Sequence, residues 1–315
     1  MPSANSLGAI ATAPPPRPGA ITRSSSVPPC RVVRACEAAL TSSVIPVPRE
    51  LLRRWNLAMF LFHSALATVT LTVGKLDLQV QLYRTAIDFQ RRNGTGFDLI
   101  PQYVPQGTLY FTLTTASFFL LSALFHLLNA TLLRGLYFRE LERCRTPTRW
   151  IEYTLSAPVM IVLIAYSLGI RERALLFAIA TLIATTMPFG FWSETIARPL
   201  TPKRWAAPLA WRLLPWFLGH LPQTAAWGII VLQFYDGNID PTDSVPWWVH
   251  LILWVELALF FSFGAAAALA QWSTPDRFYR GELLFQVLSL VSKGLLGILL
   301  LSNVLMLSRF EDIYE

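Results

Sequence analysis

The sequence is poor in charged residues and in cysteine. Only 14% of its 315 residues are charged, whereas soluble domains carry about 25%, so a pair of soluble domains is excluded. Outside the first fifty residues, the composition also excludes disordered, collagen-like and coiled-coil proteins. The three cysteines, Cys30, Cys36 and Cys144, lack metal-ligand spacing and imply no disulfide framework. Apolar residues are abundant, at 54% with a mean hydropathy of +0.46, and lipid can cover that much apolar surface.

Seven apolar runs are long enough to cross a bilayer, which takes about twenty residues. They are Leu51–Val73, Gly107–Thr131, Pro147–Leu168, Ala174–Glu194, Leu214–Phe234, Pro246–Gln271 and Phe278–Leu307. The predicted fold is an all-α membrane protein: a bundle of seven transmembrane helices at 49–310, followed by a C-terminal tail at 311–315. In the loop between the first two spans, alternation over Leu78–Leu82 and the pair Asn93-Gly94 predict a short β-hairpin.

Basic residues are concentrated in alternate connections of this bundle. Arginine and lysine are in excess before the first span, between the second and third, and between the fourth and fifth. The loop between the fifth and sixth spans instead holds Asp236, Asp240 and Asp243 without a basic residue. Positive charge marks the cytoplasmic side of membrane proteins. We therefore expect the N-terminus in the cytoplasm and the C-terminus on the opposite side.

The segment 1–48 differs in composition from the bundle. It has no acidic residue before Glu37 and is rich in serine, proline, alanine and arginine. That composition is typical of a disordered tail, and also of an organelle transit peptide. Val33-Arg34-Ala35-Cys36 resembles a plastid processing site, in which case the N-terminal side of the bundle would be stromal. Both interpretations stay open.

Ionisable residues inside membrane spans are candidates for function, because they are costly to bury there. They are Lys293, Glu152, Glu256, His63, His126 and His220. Lys293 is the one charge in the stretch FQVLSLVSKGLLGILLLSNVLML. A buried neutral amine attacks an aldehyde to form a Schiff base. The alternative is a lysine that pairs with a carboxylate for packing alone.

Two carboxylates have competing interpretations. Glu152 can balance a protonated Schiff base, or it can be an interfacial residue paired with Arg149 on the same helix face. It lies about 7 Å into its helix and Lys293 about 27 Å into the last one, so the two meet only if the helices start at different depths. Glu256, near the middle of the sixth span, is either a protonated structural acid or a proton relay. Glu194 and Glu282 are expected at the membrane interface.

Seven helices with a lysine in the last resemble the plan of a retinal-binding protein, and four stretches resemble the heliorhodopsin family specifically. They are LLRRWNLAMFLFHSA, FFLLSALFHLLNA, RWIEYTLSAPVMIVLIA and SLVSKGLLGILLLSNVLML, in the first, second, third and seventh spans. The N-inside orientation is also that family's inverted topology. The resemblance extends over about residues 50–310 and is weak in the fourth to sixth spans.

The resemblance implies all-trans retinal bound to Lys293 as a Schiff base, with Glu152 as its counterion. Ser289 and Ser156 would lie one turn from these two residues. His63 and His126 would line a polar, proton-handling cavity on the cytoplasmic side, although a structural role for each histidine is the alternative. The remaining pocket walls would be Tyr153, Met160, Trp227, Phe260 and Phe261, residue types that at helical spacing also occur as plain packing.

The predicted function is a light sensor with a slow photocycle that acts as a homodimer on an unidentified cytoplasmic partner and binds no nucleic acid. Pumping rhodopsins carry an aspartate four residues before the lysine, where this chain has Ser289, and a second carboxylate near Leu163, so a conventional ion pump is not expected. One alternative is a light-gated proton or ion conductor that uses Glu256. Another is a seven-helix transporter without a chromophore. An enzyme is not expected, since neither a nucleophile–base pair nor an HExxH-like motif is present.

Overall fold

A computed structural model describes residues 45–92, 94, 96–237 and 245–306. All of them fall in Ser42–Glu315, one of two compact units into which the chain divides. Several sequence predictions concern residues outside the described ranges. They are the tail up to residue 44, Asn93 of the predicted turn, Asp240, Asp243 and the tail at 311–315.

The described residues form eight α-helices. They are α1 (Arg49–Val73), α2 (Phe111–Ala130), α3 (Arg134–Leu141), α4 (Pro147–Ser167), α5 (Arg173–Ala197), α6 (Leu209–Asp236), α7 (Trp247–Trp272) and α8 (Phe278–Leu300). A 3-10 turn at Pro275–Arg277 precedes α8, and a π-helical turn at Leu301–Leu305 follows it. The short helix α3 lies in the connection between the second and third predicted spans.

Six of these helices are long and apolar enough to cross a membrane: α1, α2, α4, α5, α7, and α8 together with its flanking turns. Helix α6 is not among them. It contains Pro215, Pro222, His220 and Gln223, whose polar or imide groups lower its hydropathy. The helical, membrane-protein character of the chain is confirmed, whereas the count of seven spans stays a prediction.

Two strands fill most of the connection between α1 and α2. Strand β1 (Gln79–Arg91) pairs antiparallel with β2 (Phe97–Tyr110), from Gln79 opposite Tyr110 to Arg91 opposite Phe97. The strands are 13 and 14 residues long, longer than the alternation in the sequence indicated. A second, smaller pair, β3 (Pro199–Thr201) and β4 (Arg204–Trp205), lies between α5 and α6.

Helix α4 is the centre of the bundle. In its most apolar stretch 67% of the residues are buried, against 17% in α5. It packs against α2 and α5, while α8 packs against α7 and α1. Pro147 begins α4 because its fixed φ suits the first helical turn. Side chains of α4 and α8 meet in ion pairs, Arg149 with Glu282 and Glu152 with Lys293, and this is where the candidate site lies.

Candidate functional site

The structure brings Lys293 and Glu152 together as a buried ion pair between α8 and α4. The two residues are 3% and 4% exposed. Ser122 of α2 accepts a hydrogen bond from Lys293 Nζ at 2.5 Å and donates one to Glu152 Oε1 at 2.7 Å. Ser156, one turn after Glu152, donates to the same oxygen at 3.3 Å. A single carboxylate oxygen thus receives three donors, which stabilise its negative charge.

Arg149, which could have paired with Glu152, instead binds two other carboxylates. Its guanidinium donates to Glu194 of α5 and Glu282 of α8, and it stacks on the Phe285 ring with Cζ 3.9 Å from the centroid. Glu194 and Glu282, which were predicted at the membrane interface, lie near the ends of their helices and are 4% and 3% exposed. The planar fork of arginine can pair with two carboxylates at once, and that makes their burial tolerable.

Backbone and side-chain donors complete this second cluster. Thr146 donates from its backbone N–H to Glu194 Oε2 at 2.7 Å, and Tyr137 of α3 donates to Glu282 Oε1 at 3.0 Å. Burial, together with the neighbouring Glu282 charge, holds the pKa of Tyr137 well above its ordinary value of 10.0. The phenol therefore remains a hydrogen-bond donor at alkaline pH.

The two predicted histidines lie side by side. The His63 and His126 rings are stacked, with centroids 5.7 Å apart and planes 5° apart. His126 Nδ1 lies 2.9 Å from Asn56 Oδ1, and that oxygen can only accept, so Nδ1 carries the proton. His63 is fully buried, and neither of its ring nitrogens has a partner among the described residues. His126 lies one turn from Ser122 on α2, so the histidine pair extends from the ion pair toward α1.

Glu256 of α7 contacts α8 at the residue before the same lysine. It is fully buried, and Ser292, the residue before Lys293, donates to its Oε2 at 2.7 Å. In the described part of the chain its other oxygen has no partner. The acid is therefore held against α8 at the position that precedes the reactive amine.

A cavity opens on Lys293 and is walled by α4 to α8. Its empty volume is about 740 Å³, including space that is open to the outside. Of the predicted site residues, six line it: Tyr153, Ser156, Met160, Phe260, Ser289 and Lys293. Trp227 and Phe261 are not among the lining residues. Trp227 packs edge-on against Phe260, with centroids 5.3 Å apart, and Phe261 lies 6.2 Å from His220.

Several lining residues were missed in the sequence. They are chiefly Trp150, Phe189, Gly190, Trp216, Gln223, Phe263 and Phe285. Those on α5 and α6 fall in the region of weak resemblance. The role of Gly190 depends on a contact that the sequence does not show. A Cβ at this position would lie 2.1 Å from the Trp150 ring. The missing side chain lets the indole approach the α5 backbone closely.

The arrangement combines an apolar, aromatic cavity with one primary amine and one balancing carboxylate. Such a site can enclose a hydrophobic ligand and bind it covalently through an aldehyde carbon. Within the described ranges no group of three histidine, cysteine, aspartate or glutamate side chains is placed to hold a metal ion.

Comparison with known proteins gives a family and a fold. The family model described as Heliorhodopsin matches residues 52–305. Xanthorhodopsin, a light-driven ion pump with dual chromophore, aligns with a TM-score of 0.56 at 13% identity, over 82% of this chain and 95% of its own. A thermophilic rhodopsin from Rubrobacter xylanophilus aligns with a TM-score of 0.53 at 15% identity, over 84% of this chain and 99% of its own. A cyanorhodopsin from Calothrix sp. NIES-2098 aligns with a TM-score of 0.52 at 12% identity, over 82% of this chain and 95% of its own. No curated protein matches the chain. At these identities the solved structures establish the fold alone.

Proposed function

The chain belongs to the heliorhodopsin family, whose model matches residues 52–305, and on that premise we propose that it is a retinal-binding light sensor with a slow photocycle. The family and the rhodopsin fold make it an integral membrane protein that responds to light through retinal. The observation that carries the sensor proposal is the buried pair of Lys293 and Glu152 at the wall of an aromatic cavity.

The residues present fit a retinal group. Retinal is an apolar polyene with one aldehyde, so it needs an apolar enclosure that ends at an amine. Lys293 supplies the amine, while rings such as Tyr153, Phe260 and Phe285 supply apolar surface. Lys293 would hold retinal through a Schiff base, with the loss of one water. Bound retinal would supply light absorption and isomerisation, starting from the all-trans form.

The residues around the amine would manage charge and protons. Glu152 would balance the positive charge on the Lys293 nitrogen, and Ser122 and Ser156 would keep its carboxylate oriented. When the nitrogen loses its proton, His126 and His63 would be the acceptors, since His126 lies one turn from Ser122 on α2 and its ring stacks on that of His63 of α1. Glu152 would then lose its electrostatic partner, and this loss would bias the packing of α4 against α8.

Two positions lack the carboxylates that a conventional ion pump uses, and this disfavours a pumping function. Ser289 lines the cavity where pumping rhodopsins carry an aspartate, and Leu163 is fully buried where they carry a second carboxylate. Vectorial transport needs an acceptor and a donor on one path. Neither of these side chains can take a proton.

The topology and assembly are also proposals. We place seven helices across the membrane, counting α6 because it packs along α5, with the N-terminus cytoplasmic. If the first 48 residues are a transit peptide, that side is stromal. The basic cytoplasmic connections would bind a signalling partner, and the protein would act as a homodimer.

Light-gated proton conduction is a second candidate, and one contact favours it. Glu256 accepts a hydrogen bond from Ser292, the sequence neighbour of Lys293, so a buried acid contacts the helix that carries the amine. Photocurrents from cells that express the wild type and Glu256→Gln separate the two functions. A wild-type current that the variant lacks supports conduction, whereas no current in either supports the sensor.

The decisive test of chromophore binding is a visible spectrum of the protein expressed with all-trans retinal. We expect a visible band that hydroxylamine bleaches under illumination and that Lys293→Ala lacks. A colourless wild-type protein would contradict the proposal and favour a transporter without chromophore.

A further inference from the structure

Gln223 of α6 is a buried amide at the wall of the cavity that the proposed mechanism does not use. It is 6% exposed and lines the cavity. Its Nε2 donates to the backbone oxygen of Phe260 at 3.1 Å. A carbonyl oxygen can only accept, so this bond fixes which end of the amide is nitrogen. Gln223 Oε1 is then left as an acceptor, since within the described chain the side-chain hydrogen bond of this amide is the one that its Nε2 donates to Phe260.

Gln223 and Lys293 line the cavity from different sides of the bundle. Helix α8, which carries Lys293, packs against α7 and α1, whereas α6 packs against α5 and α7. A rigid polyene attached at Lys293 by its aldehyde end would therefore have its opposite end, the ring, on the side of the cavity that α5 and α6 line.

Two further polar side chains line the same wall. His220 Nδ1 lies 2.8 Å from the Trp216 backbone oxygen, to which it can donate. Thr186 Oγ1 donates to the Leu182 backbone oxygen at 3.3 Å, which leaves its lone pairs free to accept. The wall opposite Lys293 thus holds three polar side chains, Gln223, His220 and Thr186, near a ligand end that, in plain retinal, is hydrocarbon.

We infer that this wall is a subsite for a hydroxyl group on the ring of the chromophore, and that Gln223 recognises it. The chemical class of ligand is a ring-hydroxylated retinal. Its O–H would donate to Gln223 Oε1, which a hydrocarbon ring leaves unsatisfied at a cost in free energy. Binding sites built to bond a hydroxyl discriminate against analogues that lack it. This inference rests on the proposed retinal function and adds the identity of the preferred retinal.

The test is a competition between two aldehydes. Protein made without retinal is mixed with an excess of equal amounts of all-trans-retinal and all-trans-3-hydroxyretinal. The bound chromophores are then released as oximes and quantified. One hydrogen bond of ordinary strength predicts a preference of roughly 5–10-fold for the hydroxylated form. Gln223→Met, which keeps the length and removes the acceptor, should bring the ratio close to one.

Gln233→Met is the matched control, because Gln233 is exposed on the same helix, and it should keep the wild-type ratio. A wild-type ratio near one overturns the inference even if the Gln223 variant fails to fold, and shows that water or another group satisfies the amide. A wild-type preference that Gln223→Met retains also overturns it. A protein that binds neither aldehyde contradicts the proposed function itself, so the two failures are distinguishable.

Discussion

Two buried ionic clusters start from the same face of α4, within one helical turn of each other. In one, Glu152 pairs with Lys293 at the wall of the cavity. In the other, Arg149 pairs with Glu194 and Glu282. The first has one carboxylate for one cation, and the second has two. The first cation contacts a cavity, whereas the second is covered by protein.

The difference in the cations explains the difference in role. A guanidinium keeps its proton in proteins and makes directed bonds to two carboxylates, so the Arg149 cluster is a permanent clamp between α4, α5 and α8. An amine can lose its proton and form a covalent bond to an aldehyde. A ligand can therefore change the charge of the Lys293 cluster, whereas the charge of the Arg149 cluster stays constant and keeps the three helices together.

The largest effect is expected from Lys293→Ala. This variant removes the amine, so the visible band should be absent at every retinal concentration. Lys203→Ala is the control, because Lys203 is exposed and pairs with Asp276 outside the cavity. A coloured Lys293→Ala protein would assign retinal to another residue and remove the basis of the comparison.

Arg149→Met should mainly affect stability. It leaves two buried carboxylates without their cation, and breaking a buried ion pair costs about 3–5 kcal/mol. The Tm of the purified protein should fall markedly while folded molecules keep a visible band. Arg54→Met, which breaks an exposed pair with Glu50, should cost less than about 1 kcal/mol. Equal shifts in Tm for the two variants would contradict the clamp.

Glu152→Gln should mainly affect colour. A buried cation without a counter-charge is unfavourable and sheds its proton, so at neutral pH the absorption should move from the visible to the near ultraviolet. Acid should restore the visible band by returning the proton. Ser156→Ala is a useful comparison, since it removes only a 3.3 Å bond to the same carboxylate and should shift the maximum far less. An unchanged spectrum in Glu152→Gln would exclude it as counterion.

Tyr137→Phe should give the smallest effect. It deletes one bond to the charged Glu282, worth about 1.5–3 kcal/mol, and should lower the Tm without moving the spectrum. Because the pKa of Tyr137 is raised by burial, the unfolded chain ionises first. The stabilisation is therefore complete below pH 10.0 and declines as the pH rises further. A Tm difference between wild type and variant that grows above pH 10 would contradict this sign.

The sequence indicates which buried charges are functional candidates, but it does not indicate which ion pairs most of them form. Lys293 and Glu152 stand out because charges inside apolar runs are costly, and the structure places them in contact. Glu194 and Glu282 lie near the ends of their runs, and no local pattern reveals that the Arg149 side chain reaches both. The burial of these acids depends on three helices meeting, which only the fold determines.

The residues that line the cavity were also predicted only in part from the sequence. Tyr153, Met160 and Phe260 were predicted to line the cavity, and they do. Trp227 was also predicted there, but it packs against the Phe260 ring and does not line the cavity. Many apolar residues occur at helical spacing on α6, and the sequence does not say which side faces the cavity. Gln223 gave no signal because a single amide in a proline-containing helix has many structural explanations. Helix α3 lies in an arginine-rich connection that reads as a loop.

The most direct test of the central claim is to locate the attachment site. The chain has three lysines, Lys75, Lys203 and Lys293, so the assignment is unambiguous. Protein loaded with retinal is reduced with borohydride, which fixes the linkage as a stable amine, then digested and analysed by mass spectrometry. We predict the retinyl mass on the peptide that contains Lys293 and on neither of the others. A retinyl group on Lys75 or Lys203, or none in a coloured protein, would contradict the account.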